Sequence, residues 1–95
     1  MKQALLNKIE NTKEVLRERF GITKIAVFGS YARGEEREDS DIDIVILEMK
    51  QKNGLTIVKA KKYLSEELHM NVDLGLFDSL RLFVKKRIEK ELVYV

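Results

Sequence analysis

The segment FGSYARGEEREDSDIDIVIL, residues 28–47, contains the features that decide the fold. A Gly-Ser pair ends the β-branched run ITKIAVF (22–28), and the alternating run SDIDIVIL (40–47) closes the segment. Both runs have the length and the β-branched composition of strands, and the polar residues 30–39 between them have room for one helical turn and a loop. We therefore predict two strands joined by this connection.

Helical and strand-like patterns also occupy the rest of the chain. Apolar residues recur at spacings of three or four in the helical segments, and glycine or polar residues separate these from the strand. The remaining predicted elements are a helix over 3–20 that stops at Gly21, a turn over 50–54, a long helix after that turn whose apolar stripe runs from Ile57 to Leu68, a strand over 71–77, and a closing helix that Asp78 or Ser79 caps and that ends near residue 91.

The order of these elements predicts the fold class. Helix, strand, turn, strand, helix, strand and helix are typical of an α+β domain, here a small mixed β-sheet flanked by helices. A length of 95 residues suits one modest core, so we predict a single domain over residues 1–95. The strand order does not follow from the pattern.

The composition excludes several classes of function. Eighteen basic and 16 acidic residues are closely mixed, with a net charge of +2, so nucleic acid is not an expected partner. The chain has no cysteine and one histidine, which leaves oxygen atoms as the expected ligands of any metal. It has neither a signal-peptide pattern nor an apolar run of membrane-spanning length. We expect a cytoplasmic protein without membrane contact.

Two aspartates occupy neighbouring same-face positions of the second strand. Because side chains alternate, Asp41 and Asp43 should point away from the core that Ile42 and Ile44 face. The solvated outer face of an edge strand would explain an isolated pair. A third carboxylate, Asp73, lies in the third strand, which indicates convergence of all three. Mg²⁺ bound between them would relieve their repulsion, and two such ions can act together at a reacting phosphorus.

Gly29 and Ser30 form the turn after the first strand. Glycine permits close approach of a ligand to the backbone, the following helical turn presents free N–H groups to a phosphate, and Ser30 adds a hydroxyl. Neither G-x-x-x-x-G-K-[ST] nor G-x-G-x-x-G occurs in the chain. Taken alone, the Gly-Ser pair is also compatible with a simple tight turn.

The spacing of these residues matches a known signature. Gly29-Ser30, ten further residues and Asp41-x-Asp43 resemble the G-S-x10-D-x-D pattern of the DNA polymerase β-like nucleotidyltransferases. In particular, the segment resembles the minimal nucleotidyltransferase (MNT) domains that pair with HEPN toxins, and the close match covers residues 28–45. The resemblance implies a polymerase β-like palm fold and Mg²⁺-dependent transfer of AMP from ATP.

The resemblance also implies a role for each matched residue. Asp41 and Asp43 would bind the metal, as two Mg²⁺ ions, and Asp73 would be a third ligand and a possible base for the attacking hydroxyl. Gly29 and Ser30 would hold the β- and γ-phosphates. Arg33 could add positive charge on the triphosphate, or could equally be a solvated arginine. All of these residues would act in catalysis or nucleotide binding.

A partner protein is the further implication of the resemblance. In the MNT family the partner is a helical HEPN ribonuclease toxin, and transfer of AMP to a tyrosine of that toxin silences it. The sequence would then belong to an antitoxin that is a protein adenylyltransferase. The alternatives are an antitoxin that neutralises its partner by binding alone, and a nucleotidyltransferase acting on a small molecule or RNA. A short chain has little room for the pocket or basic groove that the last alternative needs.

Other polar and aromatic residues have structural explanations. We expect Tyr31 to pack at the turn, His69 to interact with a helix dipole, and Asp39 to belong to the loop. The basic clusters at 58–62 and 84–87 are expected on solvated helix faces, although they could steer ATP or a partner.

Overall fold

The computed structural model describes all residues from 1 to 95. Five helices and four strands account for most of the chain, and they are joined by short connections. In chain order the elements are α1 (Gln3–Glu10), α2 (Lys13–Phe20), β1 (Ile22–Phe28), α3 (Ser30–Arg33), β2 (Ile42–Met49), α4 (Gly54–Leu68), β3 (Val72–Leu76), α5 (Leu82–Glu89) and β4 (Val93–Tyr94).

The four strands form one mixed sheet in the order β3-β2-β1-β4. β1 is antiparallel to both β2 and β4, whereas β2 is parallel to β3. α4 supplies the crossover that two parallel strands require. β2 and β3 therefore begin at the same edge of the sheet, where Asp43 pairs in register with Asp73. The predicted α+β class with a mixed sheet is confirmed.

The main core lies between one face of the sheet and the helices α1, α2 and α4. Alternation along β2 turns Ile42, Ile44 and Ile46 to this face, where they are buried with residues of α4 such as Leu64. Asp43 lies on the opposite face by the same alternation. The buried residue Val45 shares that second face and lies outside the main core cluster.

The first helix is interrupted, which the periodicity of residues 3–20 did not predict. α1 ends at Glu10 and α2 begins at Lys13. Between them lies Thr12, which is 3% exposed and whose hydroxyl donates a hydrogen bond of 2.6 Å to the carbonyl oxygen of Ile9. A threonine hydroxyl that bonds the backbone competes with the helical pattern, so the chain bends here and both segments reach the sheet.

We expect Thr12→Val to destabilise the protein by about 1 kcal/mol, because it removes a buried hydrogen bond while keeping the side-chain volume. The measurement is the free energy of unfolding in urea. Thr56→Val in α4 is the control, since Thr56 is only half-buried. Equal effects of the two substitutions would contradict this role for the Thr12 hydroxyl.

The second strand begins two residues later than predicted. Ser40 closes a turn by accepting a hydrogen bond of 2.8 Å from the N–H of Arg37 through its hydroxyl. Pairing with the neighbouring strand starts only when the N–H of Ile42 donates to the carbonyl of Asn71. β2 therefore covers Ile42–Met49 instead of residues 40–47. Asp41 lies just before the strand and not within it.

The predicted start and end of the closing helix were wrong. Residues Phe77–Ser79 form a single 3₁₀ turn, and α5 begins at Leu82 without a side-chain cap. Asp78 does not cap the helix because its carboxylate is paired with Nζ of Lys52 at 2.8 Å. The helix ends at Glu89, after which the short strand β4 returns to pair with β1.

The histidine and two of the tyrosines lie in different structural environments. His69 ends α4 in the left-handed conformation, with φ of 52°. Tyr63 packs against Phe20, with ring centroids 5.8 Å apart, and Tyr94 is exposed at the sheet edge. No helix in the structure combines the length and the apolar character needed to cross a membrane.

Candidate active site

The predicted carboxylates lie where β2 and β3 begin. Asp43 is half-buried and pairs in register with the exposed Asp73 of the neighbouring strand, while Asp41 is exposed just ahead of β2. Parallel pairing brings these residues together across 30 positions of sequence, because α4 returns the chain to the same edge of the sheet. Asp43 is thus the most buried of the three carboxylates, and its neighbours Asp41 and Asp73 are exposed.

Negative charge is concentrated around Asp43. Burial raises the pKa of the Asp43 carboxyl above its ordinary value, and repulsion from Asp73 and Asp41 raises it further. Arg33 lowers the same pKa, whereas Glu91 raises it. The charges of Asp73, Asp41, Arg33 and Glu91 therefore all influence the Asp43 carboxyl. The environment favours a cation beside Asp43.

The carboxylate oxygens suit a hard divalent cation, but the three side chains are not arranged as a complete metal site. All three aspartates offer oxygen atoms, the ligands that Mg²⁺ prefers. Nevertheless, no group of three or more His, Cys, Asp or Glu side chains in the structure is arranged to hold a metal ion. The assignment of Asp41, Asp43 and Asp73 as metal ligands therefore stays a prediction, supported by the charge around Asp43.

Gly29 adapts the turn after β1 to the carboxylate of Asp43. The final residue of β1, Phe28, pairs with Asp43, so the turn begins directly beside that side chain. Gly29 has φ of 78° and ψ of −154°, a conformation that is almost exclusive to glycine. A Cβ atom here would clash with Oδ2 of Asp43 and would lie 3.2 Å from its Cγ. Glycine is needed both for the backbone and for the space.

Ser30 and Tyr31 begin the single turn of α3 that follows Gly29. Ser30 is half-buried, at the position that the family resemblance assigns to phosphate binding. The side chain of Tyr31 packs against the core, and its hydroxyl lies 3.5 Å from the carbonyl oxygen of Ser40. The expected packing role of Tyr31 is confirmed, and this contact connects α3 to the loop that leads into β2.

Arg33, at the end of α3, is held by two carboxylates. Its Nη1 donates to Oε2 of Glu91 at 2.7 Å, and its Nε donates to Oε2 of Glu35 at 3.2 Å. Hydrogen bonds to Glu91 and then Glu35 raise the pKa of Arg33, which stays fully charged. Glu91 was not predicted from the sequence, because it lies 58 positions from Arg33 and outside every motif.

Comparison with known proteins defines the class. Residues 9–95 match the nucleotidyltransferase domain family, so the chain belongs to that family. It is 43% identical over 83 residues to the protein adenylyltransferase MntA of Thermococcus cleftensis, in an alignment that covers 87% of this chain and 84% of the relative. A Methanocaldococcus jannaschii protein assigned as a protein adenylyltransferase is 42% identical, with 87% and 86% covered.

Solved structures give the same class. A structure assigned as a minimal nucleotidyltransferase superimposes with a TM-score of 0.80 at 29% identity, covering 98% of this chain and 95% of the other. A toxin–antitoxin crystal structure with AMP-PNP gives a TM-score of 0.75 at 26% identity, covering 93% of this chain and 69% of the other. The resemblance to minimal nucleotidyltransferases is confirmed, and enzymes of this fold generally use a divalent metal ion.

Proposed function

We propose that this protein transfers AMP from ATP to a hydroxyl group, expected to be that of a tyrosine, on a helical HEPN toxin, and that it thereby acts as an antitoxin. The main supporting observation is the position of Asp43, whose carboxylate lies against the Gly29 turn and beside Asp73. This arrangement brings the Gly29-Ser30 turn, which would bind phosphate, and the acidic residues to one edge of the sheet. The 43% identity to a protein adenylyltransferase supports the choice of reaction.

The roles of the residues follow from their positions. Gly29 and Ser30 would hold the β- and γ-phosphates, and Asp41, Asp43 and Asp73 would hold two Mg²⁺ ions. Bound Mg²⁺ would neutralise charge on the phosphates and activate the acceptor hydroxyl. Asp43 would orient this end of the nucleotide, since its carboxylate lies against the Gly29 turn.

The transfer forms a phosphoester bond and breaks a phosphoanhydride bond. The acceptor oxygen forms a bond to the α-phosphorus of ATP, and the bond from that phosphorus to the oxygen bridging to the β-phosphate breaks, which releases pyrophosphate. Asp73 would take the proton from the acceptor hydroxyl as general base. Asp73 suits this role because it is exposed beside the more buried Asp43.

A non-catalytic antitoxin that acts by binding alone is the second candidate. One observation favours it, since no three acidic side chains are arranged to hold a metal ion in the structure. The presence of Gly29, Ser30 and all three aspartates favours the enzyme. The proposal also includes a single domain over residues 1–95 and a cytoplasmic location.

The test is to incubate the protein with α-labelled ATP, Mg²⁺ and the protein encoded beside it. We expect label on the partner, and we expect EDTA or Asp41→Ala/Asp43→Ala to remove it. Asp39→Asn is the matched control, because Asp39 is an exposed carboxylate in the loop next to the motif. A stable complex that blocks the partner's nuclease activity without any label would instead favour the binding antitoxin.

A further inference from the structure

A cleft next to the candidate active site has an unusual charge distribution. Its volume is about 490 Å³, and four residues line it, which are Arg33, Arg87, Lys90 and Glu91. Three of the four are cations and none is apolar. We call this feature the basic cleft. Its charge suits an anionic ligand.

Arg33 links the basic cleft to the turn that begins at Gly29 and Ser30. Arg33 lies three residues after Ser30, at the other end of the single turn of α3. Glu91 also lines the cleft, and its Oε2 accepts a hydrogen bond of 2.7 Å from Nη1 of Arg33. Arg33 therefore belongs both to α3, which begins at Ser30, and to the lining of the cleft. A ligand held at Ser30 would extend toward this cleft.

Two of the cations come from one side of the end of α5. Arg87 lies in the last turn of α5, Lys90 directly follows the helix, and Glu91 belongs to the turn after it, where its N–H donates to the carbonyl oxygen of Ile88 at 2.9 Å. A helix dipole favours cations anywhere in the last turn, and Lys86 also lies there. Among the cations at this end of α5, only Arg87 and Lys90 line the cleft. Neither of them makes an ion pair within the chain. They remain available to a ligand.

We propose that the basic cleft binds the terminal phosphates of the nucleotide, and that Arg87 and Lys90 distinguish a nucleoside triphosphate from a monophosphate. This inference rests on the proposed nucleotidyl transfer and specifies how its substrate is selected. Arg87 and Lys90 would also hold the departing pyrophosphate. The two residues are specificity determinants, whereas Asp43 and its neighbours carry the reaction.

Glu91 acts as the internal counter-ion of Arg33 until the nucleotide binds. The Glu91 side chain is only 16% exposed, compared with 45% for Arg33, so its charge is poorly screened by water. The phosphates of the nucleotide compete with this carboxylate for the guanidinium group. Glu91→Gln should therefore strengthen ATP binding by about threefold, whereas Glu89→Gln, an exposed residue of the same helix, should not.

The experiment compares the dissociation constants of ATP, ADP and AMP, measured by calorimetry with Mg²⁺ and without an acceptor protein. Arg87→Gln/Lys90→Gln should weaken ATP binding by about tenfold and leave AMP binding unchanged. The matched control is Arg81→Gln/Lys86→Gln, which removes the same two charges from exposed positions outside the cleft. This control should change neither affinity.

The possible outcomes separate the inference from the proposed function. Equal losses for ATP and AMP, or no loss for ATP, would overturn the inference even if the wild-type protein transfers AMP. Weaker association with the partner protein at unchanged ATP affinity would assign the cleft to the acceptor and would also overturn it. If ATP selectivity depends on Arg87 and Lys90 but no AMP is transferred, the inference stands and the proposed function fails.

Discussion

Asp43→Asn should abolish nucleotidyl transfer, lowering the rate by about 1,000-fold or more. Neutralising Asp43 removes the central carboxylate of the proposed metal site, and metal-ion stabilisation of a phosphoryl transition state contributes several kcal/mol, with each 1.36 kcal/mol equal to tenfold in rate. The measurement is single-turnover transfer from α-labelled ATP to the partner protein at saturating Mg²⁺. Asp39→Asn serves again as the control. A loss of less than about tenfold would contradict the central role of Asp43.

The same substitution should make the metal-free protein more stable at neutral pH. Burial, and repulsion from Asp73 and Asp41, raise the pKa of Asp43 in the folded protein above its ordinary value of 3.8. The stability linked to this shift is fully present below pH 3.8 and is lost as the pH rises through the raised folded value. At pH 7 the charged carboxylate therefore destabilises the fold, and asparagine removes that charge.

Thermal unfolding in EDTA is the measurement for this second effect. We expect Asp43→Asn to raise the melting temperature by an amount on the order of a few degrees at pH 7, and to have a smaller effect at pH 4. Saturating Mg²⁺ should stabilise the wild-type protein more than the variant, because it binds the charged carboxylate. A variant that is less stable than the wild type at pH 7 would show that Asp43 supports the fold.

Gly29→Ala should reduce the stability more than any other glycine substitution in the chain. The backbone of Gly29 occupies a region that costs other residues about 1–3 kcal/mol, and forcing a methyl group into a packed site adds about 1–3 kcal/mol. The methyl group would meet the carboxylate of Asp43, so we expect a loss of about 2–6 kcal/mol together with loss of transfer activity. Urea unfolding followed by circular dichroism measures the first effect.

Gly34 offers a matched control for the backbone contribution. Its φ of 73° is close to that of Gly29, but a Cβ atom at Gly34 would meet nothing within 4 Å. Gly34→Ala should therefore cost only about 1–2 kcal/mol, the penalty of the left-handed conformation. If the two substitutions destabilise the protein equally, contact with Asp43 contributes nothing to the requirement for glycine.

A double-mutant cycle isolates that contact. Asp43→Ala removes the Cγ and Oδ2 atoms that the new methyl group would meet and leaves only Cβ, at an ordinary contact distance of 3.4 Å. Gly29→Ala should then cost less in the Asp43→Ala background than in the wild type, with a coupling of about 1 kcal/mol or more. Additive effects would show that the backbone conformation of Gly29 accounts for its whole cost.

Local sequence patterns were sufficient to predict most helices and strands and to recognise the motif from Gly29 to Asp43. The β-branched run at 22–28 and the apolar alternation after Asp41 predicted β1 and β2 to within two residues. The spacing from Gly29 to Asp43 predicted the family, which the match over residues 9–95 confirms. These features depend on neighbouring residues, whose steric and hydrophobic preferences operate within a few positions of the chain.

The errors arose where one specific contact overrode the local pattern. Asp78 was predicted to cap the last helix, but in the fold it meets Lys52, 26 positions earlier. Thr12 lies within a regular helical pattern, yet its buried hydroxyl ends α1. The strand β4 has only two residues and exists because it pairs with the edge of β1. None of these outcomes is encoded in local periodicity.

The sequence by itself determined the types of element, the Gly-Ser turn and the aspartates of the candidate site, because each depends on residues close together in the chain. Only the tertiary structure decided that Asp43 lies between Gly29 and Asp73, and that Glu91 holds Arg33. The parallel pairing of β2 with β3 and the return of the chain after α5 create these contacts. Contacts between distant residues depend on how all the elements pack together, which the spacing of residues along the chain does not specify.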